Sequence, residues 1–219
     1  MTDSTSTDLA AMLCSRLCHD MLSPVGALSN GLELLAMETD PEMRANVVAL
    51  LEQSAAISTN KLKFFRLAFG AAGGFGDRVD VAEPRALIEA LVADKNKIEI
   101  NWAIETANLG KPAVKVLLNF AQIAIDALVR GGTLDVGAEI REGNCEIVVR
   151  ASGPKIAFDD TIGKALDGSL PAHELSSRTA AAHMIALLAE QTGGGLQYAR
   201  TDDTLVMGAV MPEGEGLIG

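Results

Sequence analysis

The sequence predicts an α+β fold in two parts: an antiparallel helical hairpin over residues 1–72 and an α/β sandwich over residues 77–219. Three observations predict it. Residues 8–38 and 41–69 carry helical apolar periodicity, with the breaker Thr39-Asp40-Pro41 between them. The Gly-rich stretch GAAGGFGD (70–77) then ends the second run and marks the domain boundary. Beyond it, short β-like runs alternate with helical ones, the pattern of a layered α/β unit.

In the first helix, a projection at about 100° per residue gathers Leu9, Leu13, Leu17, Met21, Leu28, Leu32 and Leu35 into one apolar arc. His19 falls near the centre of the opposite arc with Ser15, Arg16, Ser23, Gly26 and Asn30, and is expected to face water. Asp40 is placed to cap the second helix and Pro41 to occupy its first position, where a missing N–H costs nothing. That helix spreads Val47, Leu50, Leu51, Ile57, Leu62, Phe65 and Phe69 over an arc wider than one neighbouring helix can cover. Either it pairs with a second copy into a four-helix bundle, or it packs on the sandwich.

In the second part, strands are expected at 98–104, 133–140, 145–151 and 204–211, and helices at 83–96, 112–129 and 174–192. QTGGGL (191–196) reads as a helix C-cap turning into a strand.

Composition narrows the function. A formal net charge of −11 over 219 residues, with no Lys/Arg run, opposes binding to a phosphate backbone, so no nucleic-acid partner is expected. No apolar run of bilayer-spanning length occurs, so no membrane partner is expected either. The start, MTDSTSTD, lacks the basic and apolar segments of a signal peptide, and three cysteines are too few for a disulfide framework. A cytoplasmic location fits these features. Cys14 and Cys18 stand at i, i+4 beside His19, yet zinc needs four ligands and Cys145 belongs to a distant strand, so no metal site is expected. His173 and His183 read as surface or helix-packing residues.

The chemistry concentrates around His19. Arg16 lies one turn before it and Ser23 one turn after, Gly26 leaves an open notch, and Leu22 stands at the edge of the polar arc. Pro24 has no N–H for the carbonyl of residue 20, so the helix is expected to kink or loosen there. Asp20 supplies a carboxylate able to orient or deprotonate the ring.

His19-Asp20-x-x-Ser23-Pro24 resembles the phosphoacceptor box of two-component histidine kinases, a family that sets this box on the first helix of a dimerising hairpin ahead of an ATP-binding α/β sandwich. LLNFAQIAIDALVRGGTL (117–134) resembles the kinase helix whose Asn coordinates the nucleotide's Mg²⁺, but that position is Ile123, which offers no oxygen. VVRASGPKIAF (148–158) resembles the adenine-reading segment with Ala151 and Lys155 in place of its Asp and Gly. HELSSRTAAAHM (173–184) matches the phosphate-holding lid without any glycine.

The degenerate pattern is similar to the ChpT-type dimeric histidine phosphotransferases of alphaproteobacterial phosphorelays. The resemblance implies a four-helix bundle in a homodimer followed by a degenerate histidine-kinase-ATPase-like sandwich. It implies transfer of a phosphoryl group from a phospho-aspartate on one receiver domain through His19 to an aspartate on another, without ATP and with Mg²⁺ only on the receivers. The receivers would be those of a hybrid histidine kinase and of response regulators. On this reading His19 is the nucleophile, Asp20 holds the ring tautomer, Arg16 screens phosphoryl charge and Ser23 bonds the phosphoryl group or a water. Leu22, Pro24 and Gly26 form one receiver-docking face, and residues 155–178 offer a second. The alternatives are a non-catalytic pseudokinase that sequesters a regulator, which would need no histidine, and an active kinase, which the lost ligands oppose.

Overall fold

The structure is a computed structural model that describes residues 2–70, 77–93 and 97–213. Most of the Gly-rich boundary segment and the end of the helix expected at 83–96 lie outside these residues. Two long helices come first, α1 (Thr2–Met37) and α2 (Pro41–Phe69). Their turn is closed by side chains. Asp40 Oδ1 accepts from the Met43 N–H at 2.9 Å as the N-cap of α2. Glu38 Oε1 accepts from the Thr39 and Asp40 N–H groups, and these bonds hold its pKa below the usual carboxylate value. Arg44 Nη1 donates to the carbonyls of Leu35 and Glu38, both at 2.7 Å, satisfying acceptors that the end of α1 leaves open.

The sandwich follows as β1 (Arg78–Asp80), α3 (Ala82–Val92), β2 (Ile98–Ile104), β3 (Asn108–Gly110), α4 (Lys111–Ala127), β4 (Gly132–Arg141), β5 (Asn144–Ser152), α5 (Asp160–Leu166), a 3₁₀ turn (Ala172–Glu174), α6 (Ala180–Thr192), β6 (Gly195–Arg200) and β7 (Thr204–Pro212). Its main sheet has the order β2-β4-β5-β7-β6, with β2 parallel to β4 and the other neighbours antiparallel. The small pair β1-β3 stands apart from it. The parallel β2–β4 pair requires a crossover, which α4 supplies. Gly131 ends that crossover at φ +81, where a Cβ would sit 2.4 Å from the Lys97 carbonyl oxygen. The β4–β5 hairpin turns on Glu142 and Gly143 at φ 51 and 76, the positive pair of a type I′ turn.

Along β4 and β5 the inward residues Leu134, Val136, Ile147 and Val149 alternate with more exposed ones, so one face of the sheet carries the core. Helix α4 is buried on nearly all sides because it lies between the sheet and the hairpin, and this explains its almost unbroken apolar run. The hairpin packs by α2 onto α3 and α4, and by α1 onto α6. Packing on the sandwich therefore accounts for part of the wide α2 arc. Phe64, Phe65 and Ala68 are buried in the sandwich core, while Leu50 and Leu62 remain 45% and 51% exposed.

The expected strands are present within a residue or two, and α6 begins six residues later than the helix expected at 174. Residues 175–179 are instead a loop, in which the Ser176 N–H donates to Thr179 Oγ1 at 3.0 Å. No helix among the described residues is long and apolar enough to cross a membrane.

Candidate functional site

Helix α1 continues through Pro24, from Thr2 to Met37, so the proline does not end it. The hairpin compensates for the missing donor: Lys61 on α2 donates from Nζ to the Asp20 carbonyl oxygen at 2.8 Å, the acceptor that residue 24 would otherwise serve. Pro24 is itself buried, which removes it from the docking face on which the sequence placed it. Leu22, 71% exposed, and Ser23 are at the surface, and a Cβ built on Gly26 would meet nothing within 4 Å.

The His19 side chain is 85% exposed. Its Nδ1 lies 3.3 Å from Asp20 Oδ1, so the tautomer protonated at Nδ1 donates to the carboxylate and leaves the Nε2 lone pair free. Arg16 is less exposed than its arc suggested, with 18% of its side chain accessible. Its Nε stands 3.9 Å from Asp20 Oδ2, and its Nη1 donates across to the carbonyl of Arg178 at 3.4 Å. Asp20 is thus engaged at both carboxylate oxygens and at its backbone oxygen, by His19, Arg16 and Lys61.

A cleft of about 530 Å³ opens between hairpin and sandwich, lined from the hairpin by Arg16, His19 and Asp20 and from the sandwich by Ile123, Asp126, Phe158, Asp159, Ile162 and Arg178 among others. Arg178 Nε lies 3.4 Å from Asp159 Oδ2. Asp159 caps α5, and its pKa is held below the usual carboxylate value chiefly by the Thr161 hydroxyl and then the Thr161 N–H, which outweigh the opposing effect of burial, with Arg178 adding a lesser lowering. Ile123, at the position where the resemblance would put a metal-binding Asn, lines the cleft and presents hydrocarbon there.

Lys61, Asp126, Asp159 and Arg178 are site residues that sequence reasoning did not single out. His173 is exposed, 3.8 Å from Glu174. His183 is half-buried in α6, and burial lowers its pKa. Cys14 and Cys18 are exposed, whereas Cys145 is buried in β5, where burial and then Glu213 push its thiol up to about 12. Among the described residues no group of three or more His, Cys, Asp or Glu is arranged to hold a metal.

The arrangement is suited to nucleophilic chemistry on an external partner: a solvent-facing imidazole, its Nδ1 against a carboxylate and its Nε2 turned away from it, beside a walled cleft. Comparisons with known proteins agree with it. Residues 81–204 match the histidine phosphotransferase C-terminal domain. The chain is 33% identical over 205 residues to the protein phosphotransferase ChpT of Brucella abortus (strain 2308), covering 94% of this chain and 96% of that one. It also superposes on a solved bacterial phosphotransferase with a TM-score of 0.78 and 32% identity, over 93% of this chain and 96% of the other. The chain belongs to the histidine phosphotransferase family, and its activity is that of a protein histidine phosphotransferase.

Proposed function

We propose that His19 is the phosphoacceptor of a relay, taking a phosphoryl group from a receiver phospho-aspartate and passing it to the aspartate of a second receiver. The observation that carries this reading is the exposed His19 ring with Nδ1 against Asp20. Nε2 attacks phosphorus in line, an N–P bond forms, the acyl-phosphate O–P bond breaks, and the receiver recovers its carboxylate. The Nδ1 proton stays on the ring, where Asp20 stabilises the cationic phosphohistidine. The second transfer reverses these changes on the acceptor. Mg²⁺ is needed only on the receivers, and this chain uses no nucleotide, a reading supported by Ile123 in the cleft.

Several features support the remaining parts. Exposed Leu22 beside the open Gly26 offers one docking face, and Asp159 and Arg178, across the cleft from His19, extend it onto the sandwich. Ser23 is accessible for a hydrogen bond to the phosphoryl group. Leu32, Leu34, Met37, Met43, Val48 and Leu50 leave the hairpin with exposed apolar surface that a second copy would cover in a four-helix bundle.

The test is incubation with a phosphorylated receiver domain. Acid-labile, base-stable label on the wild-type chain, and none on His19→Ala, is the expected result. Label retained by His19→Ala sinks the assignment. Tight receiver binding without any label favours the sequestering pseudokinase.

A further inference from the structure

We infer that Lys61 is a positioning residue for phosphoryl transfer, holding the His19 turn through the Asp20 carbonyl that Pro24 leaves without a helical donor. The inference rests on His19 being the phosphoacceptor. A proline inside a helix deletes the N–H that serves the carbonyl four residues earlier, and its ring also crowds that carbonyl and tilts it off the helix axis. Here the affected carbonyl belongs to Asp20, the residue that orients His19. Left unserved, it would be under-bonded in a partly buried position and free to swing, carrying the Asp20 carboxylate with it.

Lys61 removes that freedom from outside the helix. Its ammonium, on α2, bonds the carbonyl at 2.8 Å, a charge-assisted contact between residues 41 positions apart. Lys61, Asp20 and Arg16 share a second, smaller cavity of about 260 Å³ with Phe64, Phe65 and Gln122. Asp20 and Arg16 also line the larger cleft that contains His19, so they stand between the two spaces. An intrahelical N–H would fix the carbonyl relative to α1 alone. The lysine fixes it relative to α2, and with it the angular setting of His19 against the rest of the hairpin. Transfer in line tolerates little misplacement, about 1 Å being worth up to two orders of magnitude in rate, so the expected effect falls on the transfer step and not on docking.

The dependence on Pro24 supplies a test that a general packing role for Lys61 would fail. Lys61→Met keeps the aliphatic stem and deletes the donor, Lys61→Arg keeps a donor, and Pro24→Ala returns the N–H to the helix. Rapid-quench transfer from a saturating phospho-receiver is measured on the full-length chain together with receiver Kd. Lys61→Met is expected to slow the first-order step about tenfold or more with Kd unchanged. Lys61→Arg should recover most of the rate, and Lys61→Met should cost almost nothing when added to Pro24→Ala. A wild-type rate in Lys61→Met, or the same penalty in both backgrounds, overturns the inference. If Lys61→Met does not fold, a folded Lys61→Met/Pro24→Ala double variant supports it, and an unfolded one overturns it. Absence of label on His19 in the wild-type chain would instead be the failure of the phosphoacceptor reading, seen before any variant is compared.

Discussion

Arg16 Nη1 donates to the Arg178 carbonyl oxygen across 162 residues of sequence, so the guanidinium that faces Asp20 also bridges the hairpin and the sandwich. Its place is fixed by the protein before any phosphoryl group arrives. Arg16→Gln should therefore lower stability by about 1 kcal/mol, the usual worth of one such bond. That corresponds to about 2–4 °C in melting temperature for a chain of this size. It should also slow labelling of His19. Calorimetry and the labelling assay, run on the same preparations, check both, and an unchanged melting temperature would contradict the bridge.

The two ends of α2 predict opposite phenotypes. Phe65 is only 7% exposed, so Phe65→Asp buries an unpaired charge in the sandwich core and should cost about 4 kcal/mol or more, unfolding the chain or leaving it molten. Leu50 is 45% exposed, so Leu50→Asp should leave circular dichroism intact and convert a dimer into monomers. Light scattering coupled to gel filtration separates the cases, and a wild-type monomer at micromolar concentration would contradict the bundle.

Mg²⁺-ATP should leave the melting temperature unchanged at millimolar concentration, because a ligand stabilises only a state that binds it. Ile123 in the cleft is the physical reason. A shift of several degrees in thermal denaturation would reopen the kinase reading.

Acid should erase the contribution of the Asp159 cap. Its folded pKa is depressed by the Thr161 hydroxyl, then by the Thr161 N–H, so its stabilisation is complete above the unfolded value of about 4 and is lost as pH falls through the lower folded value. Asp159→Ala should cost about 1 kcal/mol near neutral pH, and the penalty should vanish on acidification below that range. Parallel melts of wild type and variant across pH give the curve; a penalty that grows with acid would have the wrong sign.

Much of the architecture was legible because long helices and strands repeat their periods often enough to be read. The α1 arcs place His19 correctly, and α4 betrays its sandwiched position by its apolar run. β1 and β3 span three residues each, too short for any period, and α5 is seven residues long with Gly163 inside it. Only its cap, Asp159 followed two residues later by Thr161, marks it locally. The loop at 175–179 hides in helix-compatible sequence because Ser176 and Thr179 bond each other instead of continuing a helical ladder.

Within the site, Lys61 was within reach of sequence reasoning. Pro24 orphans the Asp20 carbonyl, and counting outward equally from the Thr39–Asp40 turn sets residue 20 opposite residues near 60. Asp159 and Arg178 fell only within the broad second face expected at 155–178, since the docking of sandwich on hairpin is what brings them to His19.

The Glu142-Gly143 turn bears on how the sheet is assembled in time. A two-residue I′ turn lets β4 and β5 find each other in about 1–10 μs, the pace of an isolated hairpin. β2 can reach β4 only after the whole α4 crossover has ordered, a non-local step that is intrinsically slow. Until then the outer edge of β4 carries unpaired N–H and C=O groups. During refolding, therefore, the strand edge most open to pairing with another chain is one that the finished molecule conceals.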